Sequence, residues 1–300
     1  MTENTSANKS ADTGSPLTVA ELVQRQFEQL TPAERKPARL LLSNYPLVGL
    51  ETLAAYAEQA GVSHPSVLRF VGKLGFAGYA EFQAILRSEL AARLQSPLAK
   101  GPAGDASRDD RDFIQRFADA SRENIRQTVD SLPRSTFVGA ASLLADEKNG
   151  LFFLGGRFTD ALATYMYMHL RILRRDVNHI TGLSVAWSEY LLDIDEHTVL
   201  VVFDIRRYQG DLEYFARQAA NRGARVLLIT DQWLSPIASV ADYVLPAHIR
   251  VPSNWDSVAA VTTLAEALIA AVNDRKWPHL KDRINDLEQL RAQYEDTWPS

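Results

Sequence analysis

From Leu17 to Leu94, apolar residues recur at three and four spacing with almost no β-branched runs, which predicts helices throughout. Thr31-Pro32-Ala33-Glu34 is a capping box with proline at the first helical position. It predicts a helix that turns Ala38, Leu41 and Leu42 inward. Two more helices are expected at Phe113–Leu132 and Ser135–Ala145. After Gly150 the texture changes. Short apolar runs stand at Leu151–Leu154, Val177–Ile180, Thr198–Phe203, Arg225–Ile229 and Tyr243–Leu245, and helical stretches separate most of them. That alternation predicts βαβ units, hence a parallel sheet covered by helices on both faces. Two closing helices are expected, near Asp256–Val272 and Pro278–Tyr294, and no internal repeat is visible.

Polar, aperiodic residues open the chain, and Gly, Pro, Ser and Asp concentrate in Gly101–Asp110. The expected division is a tail at 1–17, a helical domain at 18–96, a linker at 97–111 and an α/β body at 112–300. The fold class is therefore α/β with an all-α head.

Composition narrows the chemistry. An apolar fraction of 46% over 300 residues is enough for two packed cores. With no cysteine there is no disulfide, thiolate metal site or cysteine nucleophile. The six histidines never fall within five residues of one another, so no metal motif and no cofactor are expected. Val258–Val272, the most apolar helix-length stretch, contains Glu266 and falls short of the roughly 20 residues a bilayer span needs. The first 17 residues lack the apolar segment of a secretory signal. A soluble, cytoplasmic protein with no membrane partner is expected.

Charge is divided unevenly. Residues 21–100 carry nine Lys/Arg against seven Asp/Glu, whereas residues 101–300 carry 22 against 28. A weakly basic module on an acidic one permits a nucleic-acid-binding head on a body that binds something else.

Leu53–Leu74 (LAAYAEQAGVSHPSVLRFVGKL) fits helix-turn-helix geometry position by position. Ala57 is small where two helices cross, and Gly61 sits where the turn needs a left-handed residue. Val62 plugs the turn, Ser63 caps the second helix, Pro65 stands in its first turn, and Val67, Phe70 and Val71 face inward. Pointing outward are His64, Pro65, Ser66, Arg69 and Lys73, with Pro65, Arg69 and Lys73 in one stripe four apart. On a helix lying in a major groove, Arg69 suits guanine, Ser66 a base edge or phosphate, and Lys73 a phosphate. A three-helix bundle without DNA would also use a glycine turn and a serine cap. The agreement of all five features favours double-stranded DNA.

TPAERKPARLLLSNYP, then LAAYAEQAGVSHPSVLRFVGKL and the following LGFAGYAEFQAIL, resemble the DNA-binding head of RpiR-type transcriptional regulators. The resemblance spans roughly residues 18–275 and is strongest in the head. It implies a C-terminal SIS (sugar isomerase) domain, a five-stranded parallel αβα sheet that senses a phosphosugar. It also implies a homodimer or tetramer that places two recognition helices on a pseudo-palindromic operator.

Two loops fall where such a domain holds its ligand. Gly155-Gly156-Arg157-Phe158-Thr159-Asp160 keeps Gly155 and Thr159 of the expected G-x-G-x-S, but Arg157 replaces the second glycine. The S-x-S-G-x-[ST] phosphate loop would fall on Asp204 through Gln209, and none of its hydroxyls or glycines is present. Arginines crowd in instead. Arg157, Arg206 and Arg207 are the candidate contacts to an anionic small-molecule effector, with Thr159, Gln209 and Asp211 orienting its polar groups. The alternative is that Asp204 pairs with an arginine and knits the two loops together, leaving a site that binds nothing.

Other residues attract weaker assignments. Trp187-Ser188-Glu189 reads as a packed helix start beside the pocket, and Asn254 and Asp256 as caps of the long apolar helix. His248 lies near the ligand edge of the sheet; Met166 and Met168 read as core or interface, and Arg171, Arg174 and Arg175 as a solvated helix end. No catalytic residue stands out. The expected function is a one-component transcription factor whose body binds an anion and shifts the heads through the Gly101–Leu132 region. An isomerase-like enzyme and a body that only oligomerises remain the alternatives.

Overall fold

The computed structural model describes residues 17–94 and 110–297; the expected tail up to residue 16 and the linker up to residue 109 lie outside the described residues. The head is built from α1 (Val19–Gln26), α2 (Pro32–Ser43), α3 (Leu47–Leu50), α4 (Leu53–Ala60), α5 (His64–Lys73) and α6 (Tyr79–Leu94). Two capping boxes start it, Thr18 with Glu21 for α1 and Thr31 with Glu34 for α2. Leu41, Tyr56, Val67, Phe70, Val71, Phe82 and Leu86 are fully buried between these helices. Each such side chain contributes about 1.5–3 kcal/mol.

The body follows with α7 (Asp110–Ser131), α8 (Arg134–Ala145), β1 (Gly150–Gly155), α9 (Asp160–Leu173) and β2 (Val177–His179). It continues with β3 (Thr198–Asp204), α10 (Gly210–Asn221), β4 (Arg225–Asp231), β5 (Tyr243–Ala247) and α11 (Ala259–Thr297). The five strands pair in parallel in the order β2-β1-β3-β4-β5, which is the α/β sheet the sequence predicts. Every residue of β3 is buried, as a central strand covered on both faces requires. One face packs against α8, α9 and α11, the other against α10 and the 3-10 segment Ser184–Asp193.

The structure corrects two expectations. The two closing helices are one helix of 39 residues. Pro278 removes one main-chain hydrogen bond, but Val272 and Leu280 are buried on either side and hold the helix through it. Of the expected solvated arginine cluster, Arg171 and Arg175 are exposed but Arg174 is 1% exposed. Its guanidinium donates to the carbonyls of Leu144 (2.7 Å), Asp146 (3.0 Å) and Asn149, so it ties the end of α9 to the turn before β1.

Head and body touch directly. Leu234, between β4 and β5, packs into the head's core beside Ala238 and Val244.

Candidate nucleic-acid interface and effector crevice

The turn between α4 and α5 has the geometry its residues predict. Gly61 ends α4 at φ 61° and ψ 43°, the left-handed conformation that costs glycine nothing. Ala57 is buried at the crossing, and Val67, Phe70 and Val71 anchor α5 inward. Outward lie His64, Pro65, Leu68, Arg69, Gly72 and Lys73.

Two predicted contacts behave differently. Ser66 is 6% exposed, and its hydroxyl meets Ser63 Oγ (3.0 Å) and accepts from Arg69 (3.1 Å). It orients the arginine rather than facing solvent. Lys73 Nζ donates to Glu34 Oε2 (2.7 Å), bracing α5 on α2. Leu68, 43% exposed, was missed as an apolar outward residue; its position four after His64 places it on the same face. It suits a thymine methyl.

In the body, the chain leaves β1 for β2 on one side and β3 on the other, so the strand order reverses between β1 and β3. Ligands of open parallel sheets bind in the crevice outside the carboxyl ends of the strands at that point. The loops flanking it are Gly155–Asp160 and Asp204–Gly210. A Cβ on Gly155 would meet the backbone of Asp160, so the first loop needs glycine there. Thr159 Oγ1 accepts from Gly156 N (2.7 Å) and donates to Phe203 O (2.6 Å), holding that loop on β3.

The second loop is organised by Asp231 at the end of β4. Its buried carboxylate accepts from Arg206 N (2.6 Å), Tyr208 Oη (2.7 Å) and Trp233 N (2.9 Å). Asp204 does not pair with an arginine: Ser235 Oγ donates to it at 2.5 Å. Burial pushes its carboxyl up to about 7 against that bond, and the nearby Asp231 adds to the rise. Arg206 is 8% exposed. It donates to Asp256 (3.1 Å) and to Ala92 O of the head (3.0 Å), and lies over the Trp233 ring. Arg207, at φ 68°, and Arg157 are exposed. Gln209 Oε1 accepts from Arg157 N at 2.7 Å, and Asp211 caps Leu212 N of its own helix.

Two family models match the chain: the helix-turn-helix domain of the rpiR family over residues 17–93 and the SIS domain over residues 143–271. The chain is 38% identical to the HTH-type transcriptional regulator HexR of Pseudomonas aeruginosa, over 87% of this chain and 92% of the relative. The chain belongs to the RpiR family. HexR of Escherichia coli is 23% identical over 91% of this chain and 94% of that one. Among solved structures, the sugar isomerase domain of an RpiR transcription factor from Sphaerobacter thermophilus has a TM-score of 0.54 at 22% identity. It covers 59% of this chain and 97% of that one. NanR of Vibrio vulnificus, complexed with ManNAc-6P, has a TM-score of 0.52 at 15% identity and covers 90% of this chain and 97% of that one.

This RpiR-family chain is thus a transcriptional regulator with a DNA-binding helix-turn-helix head and a SIS body, not an enzyme. No described helix is long and apolar enough to cross a membrane. Among the described residues no group of His, Asp and Glu is placed to hold a metal ion.

The remaining candidates scatter. Trp187 is buried against Phe215 (6.2 Å). Asp256 bonds Arg206, and Ser257 Oγ accepts from Ala259 N at the start of α11. Met166 is core and Met168 is 60% exposed. His248 meets Glu21 of the head. One feature at the rim has no counterpart among the residues expected from sequence. Phe158 and Trp255, 65% and 60% exposed, meet edge to face at 6.1 Å, with Arg157 over Phe158. Two exposed aromatics separated by almost a hundred positions carry no local signal.

Proposed function

We propose that this regulator binds a pseudo-palindromic operator in the cytoplasm as a homodimer. On this reading its SIS body takes an anionic small molecule, of phosphosugar or sugar-acid type, in the crevice between the ends of β1 and β3. The carrying observation is that Arg157 and Arg207 are exposed beside the strand-order reversal, while the adjoining Arg206 is bonded to the head. Guanidinium groups hold phosphate and carboxylate through two parallel hydrogen bonds. The Phe158–Trp255 pair offers an apolar platform for a sugar ring. The binding of ManNAc-6P by a protein of the same fold supports the phosphosugar class. Arg69, His64 and Leu68 are read as base-facing, with Pro65 in the first turn. Lys73 contacts a phosphate only if it leaves Glu34.

A thermal-shift screen of the whole protein against phosphosugars, sugar acids and inorganic phosphate tests this. A hit that weakens in both Arg157→Ala and Arg207→Ala supports the site. A hit unchanged in both moves the effector elsewhere, and the absence of any hit favours a body that only oligomerises.

A further inference from the structure

Gln209 and Arg206 lie in one short segment, and they bond to different parts of the molecule. Gln209 Oε1 stands where an oxygen acceptor takes the Arg157 amide, and a Cβ on Gly156 would collide with that side chain. An uncharged acceptor from the second loop therefore bridges the crevice to the first loop. On its other side the segment holds the end of α6: Arg206 donates to Ala92 O (3.0 Å), and the Arg93 guanidinium lies 4.4 Å from the centre of the Tyr208 ring. Arg207 between them adopts φ 68°, a left-handed conformation that a side-chain-bearing residue keeps only where its surroundings impose it.

We propose that Gln209 is a resident stand-in for the effector's anionic oxygen, and that its displacement moves the Arg206–Tyr208 segment and releases the end of α6. This rests on the crevice being the effector site, and it gives that site its means of regulating the head. The device is specific to this chain's loop. A serine-rich phosphate loop has no side chain long enough both to plug the crevice and to reach the head. Here one end of four residues does the first and the other end does the second. An anion that takes the Arg157 amide must expel Gln209. The strain at Arg207 and the anchorage on Asp231 then decide whether the segment shifts as a unit.

The test uses the full chain, its Gln209→Ala variant, and inorganic phosphate and fructose 6-phosphate as probes. Calorimetry should show the variant binding phosphate about tenfold more tightly than the native protein, since no internal hydrogen bond is displaced. Hydrogen exchange, without any ligand, should quicken in the variant both around Arg157 and at the end of α6 near Ala92. Equal phosphate affinity in the two proteins overturns the stand-in. Faster exchange confined to the first loop overturns the transmission to the head. If neither these probes nor a panel of sugar acids binds either protein, yet exchange quickens at both places, the segment couples the two regions and the crevice is not an anion site. That result overturns the effector reading and the stand-in together, while unchanged exchange at both places overturns the device itself.

Discussion

Glu21 in the first turn of the head and His248 just past the last strand of the body share a hydrogen bond between side chains 1% and 3% exposed. The two are 227 positions apart, and the bond runs across the domain boundary. Burial opposes ionisation of Glu21, but the hydrogen bond and attraction of His248 and two hydrogen bonds from Thr18 outweigh it. Its carboxyl is held below the ordinary range. His248→Ala leaves that carboxylate buried without its partner, a loss of about 3 kcal/mol. Calorimetry is expected to show the head melting separately, and earlier, in the variant. Because the folded pKa is lowered, this stabilisation is present above the unfolded value and lost as pH falls through the folded one. Acid therefore weakens the hold of the head on the body.

Two other carboxyls work in the opposite direction. Burial pushes Glu89 up to about 7 despite bonds from Tyr45 and Val19 N, and Asp204 likewise to about 7. Between their ordinary values near 4 and pH 7 the native protein holds protons the unfolded chain has released. Stability falls as pH rises through that window, by on the order of 3 kcal/mol for each group. Urea midpoints at pH 5 and pH 8 measure it. Glu89→Gln with Asp204→Asn should flatten the difference.

Arg174 is the structural arginine of the body. Arg174→Met strands the buried Leu144 carbonyl, takes the donor from those of Asp146 and Asn149, and should cost about 3 kcal/mol in denaturant unfolding. Arg174→Lys should recover little, since one ammonium cannot span what the planar fork spans. Full recovery with lysine would contradict this assignment.

Arg69 is exposed and held by Ser66 alone among the hydrogen bonds of α5. Arg69→Ala should leave the melting temperature unchanged and weaken binding to the preferred DNA sequence by about 1–3 kcal/mol. Loss of discrimination at one base pair marks a base contact. A uniform loss across sequences with a shallower salt dependence marks a phosphate contact instead.

Much of the fold was legible in the residues because its signals are local. Gly61, Ala57 and the apolar face of α5 identify the helix-turn-helix turn, and five short apolar runs fall on the five strands. The destinations of charged side chains were not legible. Arg174, Arg206 and Lys73 look like surface or ligand cations in sequence, but each finds an acceptor at least 25 positions away. A long polar side chain can reach several partners, and only the packed chain decides which one is near. His248 does follow the carboxyl end of β5, but its side chain bonds Glu21 in the first helix of the chain. Pro278 misled in the other direction, since tertiary packing overrode a local helix breaker.

The most direct measurement is operator affinity with and without effector. Double-stranded DNA is selected by the full-length protein from a random pool, and the winning duplex is titrated by fluorescence anisotropy with a panel of phosphosugars and sugar acids. The predicted result is two half-sites about 10 base pairs apart. One class of anion should shift the affinity about five- to 150-fold, a coupling of about 1–3 kcal/mol. A pool that never enriches, or a selected duplex bound equally in every anion, would contradict an effector-controlled DNA-binding regulator.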